Sequence, residues 1–153
     1  MRDVLRIVGR FRLEFLDHKT QRLLKRISFE NLIVNEGLDN YVIKSLGGIA
    51  GAKHIAYVAL AKQTTPPNPT DTTVLDEVGG RKTTSNTLIT PGILKMTATW
   101  AATDNPDPTL MLGAVASFDV ASGGAACSIA NFPSPQEWTN TQVINLTYEI
   151  QIA

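Results

Sequence analysis

The residues able to do chemistry are few and far apart. The chain has two histidines, His18 and His54, and one cysteine, Cys127. Nucleophilic hydrolysis needs a nucleophile, a base within hydrogen-bond reach and a group that orients the base. His18 falls in a turn-forming stretch, Asp17-His18-Lys19-Thr20, His54 opens an apolar run, and no Gly-x-Ser-x-Gly turn is present to present a serine. With one thiol, an internal disulfide and a four-cysteine metal site are both excluded, and Cys127 reads as a small core residue. The nearest approach to a calcium loop is Asp104-Asn105-Pro106-Asp107-Pro108, where prolines interrupt the ligand spacing and the glycine and distal glutamate of an EF-hand are missing. A plain turn is expected there. Leu46-Gly47-Gly48-Ile49-Ala50-Gly51-Ala52 ends a helical pattern and lacks the Gly-Lys-Ser/Thr of a phosphate loop. No catalytic residue, no metal and no cofactor is expected, and the chain is read as not an enzyme.

The elements around these residues are mostly strands. Leu5 to Leu16 alternates Leu5, Ile7, Gly9, Phe11, Leu13 and Phe15 with a more charged set, and Gln21 to Phe29 returns after the turn, giving an opening hairpin over 5–29. Asn35 is placed as a helix N-cap, Glu36 in the first turn, and Leu38, Tyr41, Val42 and Leu46 at helical spacing, giving an amphipathic helix over 36–46. His54 to Ala61 reads as a buried strand, and the loop over 62–71 is rich in proline and expected to be extended and exposed. Val74, Leu75 and Val78 suggest one short helical turn. Beyond it come strands over 81–90, 93–103, 110–120, 127–132 and 143–152, with Pro133-Ser134-Pro135 as a break. The expected fold is mainly β: an antiparallel β-sandwich, jelly-roll-like, with one short α-helix, as a single domain over 1–153.

With 153 residues, 43% of them hydrophobic, the chain can bury a core, while its charged fraction of 18% is below the usual quarter. That shortage suggests surface covered by partners. The 14 basic residues balance the 14 acidic ones, so nothing overall draws the chain to nucleic acid or anionic lipid. The charges are segregated, with no Lys or Arg after Lys95, which would suit head-to-tail docking in a homo-oligomer. Met1-Arg2-Asp3-Val4-Leu5-Arg6 interleaves charge with apolar residues, unlike a signal-peptide core, and no apolar stretch is long enough to span a bilayer. The expectation is a protein made in the cytoplasm, with no nucleic acid and no membrane among its partners. The candidate contact residues are Arg10, Arg12 and Arg22, on a hairpin face that Arg6, Lys25 and Arg26 would extend, Pro66 and Pro67 in the loop, and Trp138 as an aromatic anchor. Trp100, in an alternating strand, reads as core.

Three stretches, taken in order, resemble a family of small virion proteins encoded by tailed bacteriophages. They are Asn31-Leu32-Ile33-Val34-Asn35-Glu36-Gly37-Leu38-Asp39 with its helix; Ile55-Ala56-Tyr57-Val58-Ala59-Leu60-Ala61 with the Thr/Pro loop, Asp71 to Val78 and Arg81; and the closing Asn145 to Ile152. The chain departs from the family pattern at Ala59 and Ala61, where a glycine is usual, and at Met111-Leu112-Gly113, where an acidic residue usually precedes Gly-Leu. The resemblance implies a structural virion protein. Its shortness leaves no room for a fibre shaft, which favours a capsid decoration or cement subunit contacting the major capsid protein or other virion subunits. The alternative it implies is a tail-fibre or baseplate module that binds a host receptor or an adaptor protein.

Overall fold

The computed structural model describes residues 6–152. Ten strands form two antiparallel five-stranded sheets. The first sheet holds β1 (Ile7–Asp17), β2 (Leu23–Glu30), β6 (Ser85–Thr90), β7 (Ile93–Trp100) and β10 (Gln142–Ile152), in the order β2-β1-β10-β7-β6. The second holds β3 (Leu32–Ile33), β4 (Tyr57–Ala61), β5 (Glu77–Thr83), β8 (Thr109–Phe118) and β9 (Ser128–Thr139), in the order β3-β9-β8-β4-β5. The mainly β, two-sheet expectation is met, and the chain passes between sheets four times. The expected hairpin start at Leu5 lies outside the described residues.

Alternation explains the core. Phe11, Leu13 and Phe15 of β1, Ile144, Leu146 and Tyr148 of β10, and Met96, Ala98 and Trp100 of β7 point the same way and meet Val58, Leu60, Leu112, Val115 and Trp138 from the second sheet. Phe11 stacks on Tyr148 at 4.0 Å between ring centres. The second sheet is apolar on its other face too. There Ala59, Ala61, Ala114, Ala116, Phe118 and Ile129 are covered by Val34, Val74 and Ala126 from loops. Small side chains on that face let loop backbone lie close, which is what two-sided burial of a sheet without a helix layer requires.

Several elements differ from expectation. Residues 81–90 are two strands, one in each sheet, because Thr84 carries the chain across, its N–H bonded to Ala56 O. The short helical turn expected at Val74, Leu75 and Val78 does not form: Val74 is buried in the outer cluster and Glu77–Val78 open β5. Pro133 and Pro135 do not break the strand but lie inside β9, where the register jumps from Leu112↔Gln136 to Ala114↔Asn131. A proline in that bulge owes the ladder no N–H. The helix is a π-helix, Gly37–Ile43, running into one α turn, Lys44–Leu46, and no side chain caps its start. The longer π repeat rotates the expected stripe: Tyr41 is buried, whereas Leu38 and Leu46 face out. Gly37 is needed because a Cβ there would collide with the Cys127 carbonyl.

Gly79 shows the same constraint with a second cause. Its φ is +75°, and a Cβ would stand 3.0 Å from Trp138 and 3.3 Å from Trp100. Both indoles are pinned by their N–H groups, Trp100 to Gly80 O and Trp138 to Gln142 O, each at 2.8 Å. Neither ring can therefore yield easily. Gly79→Ala is expected to destabilise the fold by about 1–3 kcal/mol. Gly123→Ala, at φ +63° with nothing near its Cβ, should cost less. Denaturant midpoints of the two variants compare the costs directly; equal losses would mean that the tryptophans do not hold Gly79.

Candidate functional site

The sequence-predicted contact residues lie on different sides of the molecule. Arg10 and Arg12 stand on the outer face of the first sheet beside a shallow depression of about 420 Å³ shared with Glu30, Thr147 and Glu149. That face is a mixed-charge ladder: Arg10 is 3.9 Å from Glu30, and Glu14 sits 3.4 Å from both Arg12 and Arg26. Exposed pairs of this kind contribute little stability. They do interrupt the expected basic stripe. Lys25 is not part of that face, since it turns inward over the Phe15 ring, 4.4 Å from its centre, and donates to Glu137 O at 2.7 Å. Arg22 is exposed in the turn, where its carbonyl accepts the Asp17 N–H.

Pro66 and Pro67 are on the opposite side, in a loop laid over the outer face of the second sheet. That loop is tied down: Pro69 O accepts from Asn35 N–H, Thr72 O from Ala126 N–H, each at 2.8 Å, and Val74 is buried beneath it. Pro66 is exposed and Pro67 only partly so. Trp138 corrects the expectation of a surface anchor. It is 0% exposed, closed in by Gly79 and bonded through its N–H, so it has no surface to offer a partner. Trp100 is core, as read from its strand.

Arg81 has a structural task. It makes a two-pronged contact with Glu77 at 2.8 and 3.0 Å, donates to Val120 O and Gly123 O, and lies 3.4 Å over the Phe118 ring. One guanidinium thus fastens β5 to the loop after β8. The carboxylate of Asp104 is likewise engaged, by Lys82 at 2.9 Å and by the Ala101 N–H at 2.7 Å. His54 is exposed, and His18 is exposed with Nδ1 2.6 Å from Thr141 O. Among the described residues no three His, Cys, Asp or Glu side chains converge, and no helix is long and apolar enough to cross a membrane.

The feature that does stand out is an open apolar cleft of about 400 Å³ between the helix and the free end of the first sheet, with Tyr41, Leu46, Ile55, Leu88, Leu94 and Ile152 among its walls. Cys127 is in its floor and Lys53, His54 and Asn86 are on its rim. Leu46 is 74% and Leu88 72% exposed, and Ile43, Ile49, Ile89 and Ile152 are also exposed. Lys53 is neutralised by Glu36 at 3.0 Å. The helical spacing of Leu38, Tyr41, Val42 and Leu46 does not reveal this cleft, because an α repeat would put Leu46 on the same face as the buried Tyr41. The available signal was Leu88-Ile89 inside an otherwise Thr/Asn/Ser strand.

Behind the cleft runs a buried polar chain. Asn31 donates its side-chain N–H to the Tyr148 hydroxyl, Tyr148 donates to Ser128 Oγ at 3.0 Å, and Ser128 and Ser117 hydroxyls are 2.6 Å apart. Burial raises the Tyr148 hydroxyl well above its ordinary value and pushes the Cys127 thiol up to about 12. Burial, and then the neighbouring Asp119 carboxylate, raise Tyr41 in the same sense. All three groups are neutral in the fold, whereas in the unfolded chain they ionise from their ordinary values of 9.0 for the thiol and 10.0 for the phenols. Above that point the unfolded state binds fewer protons than the native one, so stability is full below about pH 9 and falls as pH rises beyond it. Urea melts between pH 8 and 11 should show this loss, and Cys127, 2% exposed, should label with thiol reagents only on unfolding. A flat alkaline profile with rapid native labelling would contradict the burial of these groups. No family model, curated protein or solved structure matches this chain.

Proposed function

We propose that this chain is a structural subunit of a tailed-bacteriophage particle, a capsid decoration or cement protein that acts by covering and being covered by other subunits. The observation that carries the reading is the apolar cleft lined by the exposed Leu46, Leu88 and Ile152, next to an unpaired sheet edge. A contiguous apolar patch beside a sheet edge is the kind of surface that proteins keep for a partner. Further support comes from the sequence resemblance, whose motif residues have structural tasks here: Gly37 admits the helix against Cys127, and Glu77 with Arg81 closes the loop over Phe118. The jelly-roll-like description belongs to this reading. Pairing of β1 with β10 supports it, while the in-sheet pairs β1–β2, β4–β5, β6–β7 and β8–β9 depart from a double Greek key.

The mechanism is association without chemistry. A subunit that binds the assembled shell and not the dissociated one stabilises the shell by mass action. A contact of ordinary size, about 800 Å² per partner, is enough for specific binding.

Copy number in purified particles tests this. Quantitative mass spectrometry should find the protein in at least tens of copies per particle, with release on dissociating the shell. A few copies, tracking tail components, would instead indicate a tail-fibre or baseplate module, and absence from particles would end the reading. Because Arg10 and Arg12 lie in a charge-balanced ladder and Arg22 at a turn, Arg10→Ala, Arg12→Ala and Arg22→Ala together should reduce incorporation less than tenfold, under about 1.4 kcal/mol. A larger loss would restore the opening hairpin as the contact surface.

A further inference from the structure

Two five-stranded sheets have four edges, and the residues on them are unequal. β2 carries Lys25, Arg26 and Glu30, β5 carries Glu77, Arg81 and Lys82, and β3 is two residues long. Charge and brevity are the usual guards against edge pairing. β6, Ser85-Asn86-Thr87-Leu88-Ile89-Thr90, has neither charge nor proline, and all six residues are exposed. Among the described residues its backbone makes no hydrogen bond beyond its ladder with β7. The turn Thr90-Pro91-Gly92-Ile93, with Gly92 at φ +84°, joins this edge to β7, and the pairing slips once, between Leu88 and Thr90, leaving residues 85–88 in regular register.

We infer that β6 pairs antiparallel with β6 of a second copy of this chain, joining two five-stranded sheets across a two-fold axis and closing the apolar clefts of both. This goes beyond the proposed particle role by naming the surface and the partner, and it rests on that role only for where the dimer is used. Three observations select a second copy. Pairing β6 with β2 or β5 of another copy would set its uncharged side chains beside Arg26 and Glu30 or beside Glu77 and Lys82, whereas β6 facing itself buries no charge. Two of the charges that flank the edge are already neutralised within each copy: Lys53 by Glu36 at 3.0 Å and Lys82 by Asp104 at 2.9 Å. Two copies can therefore approach without repulsion. Leu88 sits in register with Leu94, on the face of the sheet that lines the cleft, so a partner strand brings its own leucine to the same mouth. A two-fold contact uses up the edge in both copies and stops there, which an uncharged edge needs if it is not to grow into fibres.

The test uses the full chain. Light scattering and native mass spectrometry at micromolar concentration should give a dimer. Leu88→Lys should weaken dimerisation by at least roughly tenfold through two like charges brought together. Because Leu88 is 72% exposed, its melting temperature at dilution should equal that of the wild type. Single cysteines at Ser85, Thr87, Leu88 or Ile89, with Cys127 buried and silent, should include at least one that forms a disulfide dimer on mild oxidation, while Arg26→Cys on β2 should not. A monomer at all concentrations, or an oligomer that Leu88→Lys leaves intact and in which none of the β6 cysteines cross-link, overturns the inference. Solution mass reads the dimer and particle copy number reads the role, so either can fail alone.

Discussion

Every antiparallel sheet that does not close on itself leaves two rows of unpaired backbone groups, and the disposition of those rows organises this molecule. The first sheet ends in β2, guarded by charge, and in β6, which carries neither charge nor proline. The second ends in β3, too short to template anything, and in β5, tied to a neighbouring loop by Arg81. The fold resolves three of its four edges internally. The fourth, β6, carries no charged residue, and the apolar cleft opens beside it.

Two-sided burial of the second sheet is what makes that arrangement rigid. Large side chains fill the space between sheets, alanines face outward, and loops fastened by Pro69, Thr72 and Arg81 lie over the alanines. The Pro-rich segment is exposed along most of 62–71, as its composition indicates, and Val74 just beyond it covers the sheet. Within the core, the Asn31–Tyr148–Ser128–Ser117 chain satisfies buried hydroxyls that would otherwise cost about 1–3 kcal/mol each. Several titratable groups have structural tasks: Glu77, Asp104 and Glu36 each hold a cation, and Cys127 and Tyr148 are held neutral by burial.

Where local pattern and tertiary packing agree, the residues were legible. Alternation in β1, β7 and β10 announced both the strands and the face each buries, and Trp100 and Cys127 were read correctly as core. Where a long-range contact decides, the sequence was silent. Nothing local says that Thr84 hands the chain from one sheet to the other, that Pro133 and Pro135 lie in a bulge, or that Trp138 closes over Gly79. The helix is legible from its spacing but its π repeat is not, and that repeat puts Leu46 at the cleft and not beside Tyr41 in the core. Arg10 and Arg12 read as part of a basic set, but Glu30 reaches Arg10 only through the β1–β2 register, whereas Glu14, which sits beside Arg12, lies two residues along the same strand.

The claim that β6 is the edge this protein keeps for its partner can be read amide by amide. Hydrogen exchange followed by mass spectrometry, on peptides spanning 85–90 and, for comparison, β2 and β10, reports whether both sides of the strand are bonded. The account predicts that β6 is protected like the central strand β10 at associating concentrations and loses about half of that protection on dilution, while β2 stays constant. Exchange in β6 that is as fast as in β2 at every concentration would contradict it.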